Sequence, residues 1–275
     1  MLAAGPFASP RILMQSGVPR ERLFKGSERA IGERFSTHAT ITFCADFDEA
    51  LYPSAATPPM GYFVKKYAVT DQATADPATD HVRYALEGML NHPLAHAQLV
   101  PYESAESHQA FMKRFNQTMT LAVMFRDRAV GHVTSKGFAY ELAEEDHPGW
   151  LDSLRTGARI MFAAGARRVF FNSHRPLILN TPEEIDTTLT LDLVSQQRIQ
   201  ITSGHPMGGC ALGGDAKRDV VDSRGRSWDV DGLYVADSSI FPTSLGVNPC
   251  YTVYALGRYI AQSIVDDIGA SPARG

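Results

Sequence analysis

A short apolar segment near the carboxyl end, residues 233–236, limits the folds that the surrounding chain can adopt. An uninterrupted apolar run of this length is typical of a buried strand in a parallel sheet. Asp237 follows it directly, at the end of the strand where ligands of α/β sheets bind. The segment therefore predicts part of an α/β domain with a polar side chain at its ligand-binding edge.

A helix is predicted shortly after this strand. Asn248 is a favourable N-cap, and Pro249 suits the first position of a helix. The apolar residues that follow recur with helical spacing at Val253, Leu256, Ile260 and Ile264. A strand with a surface aspartate and a capped, buried helix would also explain these features without any function.

A histidine in a glycine-rich turn favours a functional interpretation. His205 lies close to Gly204, Gly208 and Gly209, whose backbone can approach another molecule closely. The unperturbed pKa of histidine, near 6.5, suits proton transfer at neutral pH. A lone histidine is more often structural than catalytic, so the residue types indicate a site without deciding its chemistry.

Several motifs of this region resemble, in the same order, the C-terminal region of the glucose–methanol–choline (GMC) oxidoreductases, flavoenzymes that oxidise alcohols. They are His205-Pro-Met-Gly-Gly-Cys210, Val221-Asp222, Gly232-Leu-Tyr-Val-Ala-Asp237-Ser-Ser-Ile-Phe-Pro242 and Asn248-Pro249. The combination of residues 227–235 with residues 246–249 is most similar to the long-chain (fatty) alcohol oxidase branch.

This resemblance implies roles for individual residues. His205 would accept the hydroxyl proton of the substrate while a hydride leaves its carbinol carbon for the flavin of FAD. Asn248 would hydrogen-bond the substrate oxygen beside the flavin. The implied cofactor-binding residues are Ala4, Asp237, Ser238, Asn248 and Pro249.

The opening residues carry a second resemblance. Residues 5–18 are similar to a GMC signature that lies mid-chain in full-length members, with a departure at Pro19, where that signature usually has glycine. A nucleotide-binding βαβ unit would begin with a strand and Gly-x-Gly-x-x-Gly, and this fingerprint is absent from the sequence. The chain therefore resembles the C-terminal half of the family, and a separate N-terminal FAD-binding half is an expected partner.

The predicted fold class is α/β plus α+β. Residues 1–35 and 195–275 are expected to form pieces of a Rossmann-like FAD-binding domain, and residues 36–194 an antiparallel-sheet substrate domain. Within the latter, strands are predicted at 38–48, 61–69 and 168–171 and helices at 105–117 and 149–163, together with a hairpin that pairs 118–126 with 130–139. His38 is expected to be structural.

Composition excludes several functional classes. A chain of 275 residues with 44% hydrophobic and 20% charged residues is typical of a soluble globular protein. A net charge of −4 gives no support for binding nucleic acid or anionic membranes. Three cysteines fit a reducing compartment. No stretch reaches the roughly 18 apolar residues of a transmembrane helix, and no targeting segment is recognised, so a cytoplasmic location is expected.

A metal site is not predicted. His92 and His96 are four residues apart, a spacing that can bind metal on one face of a helix. Pro93 lies between them, and no set of cysteine or acidic ligands lies nearby in the sequence. We therefore expect no metal at this position.

The sequence leaves three functions open. The leading hypothesis is oxidation of a hydrophobic or long-chain alcohol to an aldehyde or ketone, with oxygen or another electron acceptor. The second is a truncated, non-catalytic remnant that binds a ligand or a partner protein. The third is a dehydrogenase that passes electrons to a quinone or a protein, and the sequence does not separate it from an oxidase.

Overall fold

Two discontinuous units make up the part of the chain that the structure describes. The computed structural model describes residues 1–16, 31–51, 60–68, 83–89, 92–128 and 130–270. Unit 1 consists of Met1–His38, Asp127–Leu142 and Gly204–Gly275, and unit 2 of Ala39–Arg126 and Ala143–Ser203. The sequence also predicts a loop at 71–80, around Pro77, and these residues lie outside the described part of the chain.

Unit 2 is built on a six-stranded antiparallel sheet. Its strands are β1 (Thr40–Asp46), β2 (Met60–Val64), β3 (Tyr84–Met89), β4 (Thr118–Phe125), β7 (Arg168–Phe171) and β8 (Leu177–Leu179). Their order across the sheet is β2-β3-β4-β1-β7-β8. The predicted strand at 38–48 is β1. It is almost entirely buried, because β4 and β7 flank it within the sheet.

Five helices accompany this sheet among the described residues of unit 2. They are α2 (Pro93–Leu99), α3 (Ala105–Lys113), α4 (His147–Ala163), α5 (Glu184–Thr188) and α6 (Leu191–Ser195). Ser104 and Ser107 form a capping box that fixes the start of α3. The predicted helix at 149–163 is confirmed as α4.

Helix α4 forms the core of unit 2 against the sheet. The Trp150 ring stacks on the Phe125 ring with centroids 4.6 Å apart. A side chain at Gly157 would meet the Phe43 ring at 2.4 Å, so glycine is required for the close approach of helix and strand. These contacts bury Trp150 and Phe43 completely, and they explain why apolar residues dominate this face of α4.

Unit 1 contains less regular structure. Its elements are α1 (Gly5–Gln15), the short hairpin β5–β6 (His132–Val133 and Phe138–Ala139), a 3₁₀ helix (Ser238–Ile240) and α7 (Cys250–Ala270). Pro6 lies in the first turn of α1, a position that proline favours because its missing N–H is not needed there. Helix α7 begins directly after Pro249 and buries Ile260 completely.

The apolar segment 233–236 makes one parallel bridge, between Val235 and Leu2. Leu2 donates its N–H to the carbonyl of Tyr234 and accepts from the N–H of Ala236. Val235 is fully buried in an apolar cluster that also contains Ile260. The first residues of the chain and the predicted strand thus pair as neighbours in a parallel arrangement.

The predicted hairpin between 118–126 and 130–139 is wrong. Strand β4 pairs with β1 and β3, whereas β5 pairs with β6 in unit 1. Alternating apolar residues identify a strand but not its partner. Asp127–Leu142 belongs to unit 1, whereas the domains predicted from the sequence include it in residues 36–194.

No helix within the described ranges is both long and apolar enough to cross a bilayer.

Candidate functional site

His205 lies at the start of a turn that pairs with the 3₁₀ helix. Gly208 donates its N–H to the carbonyl of Ser238, and the Ser238 hydroxyl donates to the carbonyl of Pro206 at 3.2 Å. Gly208 has φ +84°, and a side chain there would come within 2.0 Å of the Arg34 carbonyl oxygen. The turn therefore needs glycine at this position, and it places His205 beside Ser238.

The His205 ring faces His38. The two ring centroids are 5.2 Å apart and the planes are inclined at 37°. His38 is fully buried and has φ +47°, a backbone conformation that few residues other than glycine adopt. His205 is half-buried, and its Nδ1 atom, which is shielded from solvent, has no hydrogen-bond partner among the described residues.

Both histidines are held in the neutral form at physiological pH. Burial and the nearby His205 lower the pKa of His38 to about 3. Burial also lowers the pKa of His205 below its usual value of 6.5. A neutral imidazole has an unprotonated nitrogen that can accept a proton, which is the property a general base requires.

The Asp237 carboxylate joins the 3₁₀ helix to the start of α1. Its Oδ2 atom accepts the N–H of Gly5 at 3.0 Å and the hydroxyl of Ser9 at 2.5 Å, and its Oδ1 atom accepts the N–H of Ser239. Ala4 donates its N–H to the same Ser9 hydroxyl at 3.1 Å. Ala4 and Asp237, which are far apart in the sequence, therefore lie together.

Asn248 and Pro249 lie immediately before α7. The Asn248 side chain is exposed, Pro249 is buried, and the Pro249 carbonyl accepts the N–H of Val253 in the first turn of the helix. The described contacts bring Ala4, Asp237, Ser238 and the His205 turn together. Asn248 lies at the end of the loop that follows the 3₁₀ helix.

Sequence reasoning missed the side chains that support His205. Asp127, Ser36 and Tyr140 form a hydrogen-bonded group next to His38. A buried aspartate has no local sequence signature, and these residues come from segments far apart in the chain. His38 was expected to be structural, and only the fold places its ring against His205.

His92 and His96 do not face one another. His92 caps α2 by accepting the N–H of Leu94, whereas the buried His96 lies against the hydroxyls of Thr118 and Thr120. Among the residues described, no group of three histidine, cysteine or acidic side chains is arranged to hold a metal ion.

Comparison with known proteins identifies the family of this arrangement. Residues 127–257 match the family model of the GMC oxidoreductases. The chain carries the C-terminal region of a GMC oxidoreductase. The family is one of FAD-dependent enzymes, and the resemblance seen in the sequence motifs is confirmed.

Curated GMC relatives include plant alcohol oxidases. Long-chain-alcohol oxidase FAO4A of Arabidopsis thaliana is 31% identical over 183 residues, which cover 64% of this chain and 25% of the relative. Long-chain-alcohol oxidase FAO3 of the same plant is 27% identical over 280 residues, which cover 95% of this chain and 36% of the relative. The chain thus spans about a quarter to a third of the length of these relatives.

Solved structures show the same fold. Pyridoxine 4-oxidase from Mesorbium loti has a TM-score of 0.61 at 18% identity, over 95% of this chain and 50% of that structure. Formate oxidase has a TM-score of 0.62 at 16% identity, over 97% of this chain and 54% of that structure. These similarities confirm the predicted fold class.

Proposed function

We propose that this chain is the C-terminal half of an FAD-dependent alcohol oxidoreductase in which His205 accepts the hydroxyl proton of the substrate. The observation that carries the proposal is the setting of His205. Its Nδ1 atom is shielded and unpartnered among the described residues, and its burial keeps the pKa of the ring low. A neutral, partly accessible imidazole in a glycine-rich turn is suited to act as a general base.

The residues proposed to bind FAD are arranged so that the cofactor would lie against the backbone of the chain. Among the described residues, no atom lies within 4 Å of a side chain placed at Gly204, the residue before His205. Ser238 is only half-buried, and Ala4 is exposed at the start of α1. When bound, FAD supplies the acceptor for the hydride. The chain itself positions the alcohol and holds its proton.

Asp237 is proposed to act on FAD mainly through the backbone. Its carboxylate accepts three donors of the protein and so fixes Gly5, Ser9 and Ser239. Ala4 and Ser238, next to these residues, are then held in fixed positions. We assign Asp237 and Ser238 to the ribityl–pyrophosphate part of FAD and Pro249 to the edge of the flavin.

Asn248 is the proposed ligand of the substrate oxygen. Its exposed amide can donate a hydrogen bond to a developing alkoxide, which stabilises negative charge as the proton leaves. The first turn of α7 begins two residues later, and its N-terminal N–H groups favour negative charge nearby. His205 and Asn248 would then divide the work of proton removal and orientation.

A hydrophobic or long-chain alcohol is the proposed substrate, since the curated relatives include long-chain-alcohol oxidases. The aromatic and methionine side chains of unit 2 do not add to this argument. Phe43, Phe47, Met124 and Phe125 are buried core residues, whereas Tyr62 is 77% exposed. Either oxygen or another acceptor would complete the cycle, and a location in the cytoplasm remains a prediction.

A separate or preceding FAD-binding half is the proposed partner. Helix α7 exposes an apolar stripe, formed by Tyr251, Tyr254, Ala261, Val265 and Ile268, which the exposed Arg258 interrupts between Tyr254 and Ala261. Exposed apolar residues that recur in this way are typical of a helix that packs against another element. The segment 233–236 does not add to this surface, because it already pairs with Leu2 in parallel and with Arg226 in antiparallel orientation.

The visible spectrum of the flavin tests the proposal. The chain, associated with an FAD-binding half, is mixed with a long-chain primary alcohol in the absence of oxygen. We expect the flavin absorption to bleach. If flavin is bound but no alcohol bleaches it, the chain is not part of an alcohol oxidoreductase. If no flavin is bound under these conditions, the chain is a non-catalytic remnant.

A further inference from the structure

A buried carboxylate that the proposed chemistry does not use lies in unit 1. Asp127 is only 2% exposed, and the contacts described for its carboxylate come from hydroxyl groups. Burial raises the pKa of Asp127, and interactions with Tyr140, Ser244 and Ser36 lower it in part. Because an isolated buried carboxylate is costly, several donors around one such group indicate a specific role for it.

The first connection of Asp127 leads to His205. The Ser36 hydroxyl lies 2.9 Å from both carboxylate oxygens, and the same hydroxyl accepts the N–H of His38 at 3.0 Å. This contact fixes the backbone of His38, whose φ of +47° is sparsely populated for a histidine. The His38 ring in turn packs on His205. Displacement of Ser36 would therefore move the His38 ring, against which the His205 ring packs.

The second connection leads towards Asn248. Ser244 interacts with the Asp127 carboxylate and is almost completely buried. It lies in the loop that ends at Asn248 and Pro249, before α7 begins. The Tyr140 hydroxyl, which follows the β5–β6 hairpin, donates to the carboxylate at 2.6 Å. Three separate segments of unit 1 thus meet at one side chain.

We infer that Asp127 is a positioning residue of the candidate site, because its carboxylate joins the segment that carries His38 to the loop that carries Asn248. This inference rests on the proposed function, in which His205 and Asn248 act on the same substrate oxygen. Asp127 itself touches neither substrate nor cofactor in this scheme. It sets the distance between the two residues that do.

Asp127→Asn preserves the shape of the side chain but replaces one acceptor oxygen with an NH₂ donor. Two of the hydroxyl groups that now face a carboxylate oxygen would then face the NH₂ donor. The segments that carry these hydroxyl groups would therefore shift apart. Because a shift of about 1 Å in a reacting geometry can cost about 100-fold in rate, we expect the rate constant for flavin reduction to fall about 10- to 100-fold. Flavin content and the Kd for the alcohol should stay within about twofold of the wild-type values.

The experiment uses the flavin-loaded protein with both halves and anaerobic stopped-flow mixing with a long-chain alcohol. The matched control is Asp46→Asn, which alters a fully buried aspartate of unit 2 that pairs with Arg168. This control should leave the reduction rate within about twofold of wild type. An equal loss of rate in both variants would show general destabilisation and would overturn the inference.

Non-additivity gives a second test. Ser36→Ala and Ser244→Ala should each lower the reduction rate in the wild-type background and have little further effect in Asp127→Asn, because all act through one carboxylate. If Asp127→Asn fails to fold, Tyr140→Phe removes one hydrogen bond while keeping the ring, and we expect a three- to tenfold slower reduction. Fully additive effects, or an unchanged rate in Tyr140→Phe, would overturn the inference.

The two levels of the proposal fail differently. If alcohols do not bleach the flavin of the wild-type complex, both the alcohol oxidoreductase and the positioning role are refuted. A wild-type complex that bleaches normally, with Asp127→Asn reducing at the same rate, refutes only the positioning role.

Discussion

His38 and His205 place their rings 5.2 Å apart between centroids, although 38 is in the first segment of unit 1 and 205 is in the last. Two imidazoles at this distance disfavour simultaneous protonation. Since burial already lowers both pKa values, the pair has room for one proton at most near neutral pH. A proton accepted by His205 would thus meet a neutral neighbour.

Removing the imidazole of His205 should abolish most of the chemistry. We expect His205→Ala to lower the rate constant for flavin reduction by roughly two to four orders of magnitude, the usual contribution of a general base. His132→Ala, which alters an exposed histidine of the same unit, serves as the control. Anaerobic stopped-flow absorbance measures both. If His205→Ala retained most of the rate, His205 would not be the base.

Acid should destabilise unit 1 through His38. The pKa of His38 is about 3 in the folded protein against 6.5 for the free side chain, so the unfolded chain binds a proton below pH 6.5 and the folded chain does not. This residue therefore lowers the free energy of unfolding by about 1.4 kcal/mol per pH unit as the pH falls from 6.5 towards 3, and contributes nothing above that window.

His38→Asn should make this pH dependence shallower, since asparagine tolerates a positive φ and does not titrate. Urea unfolding at several pH values measures the slope. His92→Asn changes an exposed histidine of unit 2 and should leave the slope as it is in the wild type. A slope equally steep in His38→Asn would show that His38 is already protonated in the folded protein.

A methyl group at Gly208 should disrupt the His205 turn. The added carbon would lie 2.0 Å from the Arg34 carbonyl oxygen at φ +84°, so the backbone must move. We expect a loss of about 2–4 kcal/mol of unfolding free energy. Gly204→Ala is the matched control, because no atom lies within 4 Å of its added carbon. Similar stability of the two variants in urea unfolding would contradict the geometry of the turn.

Loss of the Asp237 carboxylate should release the flavin. Asp237→Ala removes the acceptor of Gly5 N–H and the Ser9 hydroxyl, which hold Ala4 in place. We expect the ratio of flavin to protein after gel filtration to fall at least about fivefold, whereas the protein that keeps flavin reacts at close to the normal rate. Asp231→Ala, at an exposed aspartate, should keep its flavin. Unchanged flavin content in Asp237→Ala would place the cofactor elsewhere.

The exposed stripe of α7 should control association. We expect Val265→Lys with Ile268→Lys to raise the solubility of the isolated chain and to weaken its binding to an FAD-binding half at least about tenfold, because charges replace apolar contacts. Gln262→Lys, on the same helix but at a polar position, is the control. Pull-down titration measures the affinity. Unweakened binding of the double variant would show that another surface joins the halves.

The sequence predicted best those elements whose pattern is local. Helix α4 and strands β4 and β7 carry apolar periodicity along their whole length, and the structure has them where the pattern indicates. Strand β3 was missed, since Glu87 and Gly88 interrupt its apolar run although Glu87 is buried in the sheet. Strand partners depend on chain topology, which alternation alone does not encode.

The candidate site likewise contains features that the sequence predicts and features that it does not. The glycine-rich turn, Asp237 and the Asn-Pro pair before α7 were recognised because each has a local motif. The contact of His38 with His205 and the hydrogen-bonded group around Asp127 form only when segments far apart in the chain meet. Their roles in binding and catalysis remain predictions.

The bond between the Gly5 N–H and the Asp237 carboxylate spans 232 positions in the chain. During synthesis, residues 1–16 emerge from the ribosome long before Asp237 and the other residues that complete their packing. Both parts of unit 2 leave the ribosome before Gly204, so unit 2 can fold while unit 1 still lacks its last segment. Helix α1 therefore has to be kept from aggregating or degrading until the last segment of unit 1 has been made, which makes it a natural target for chaperones.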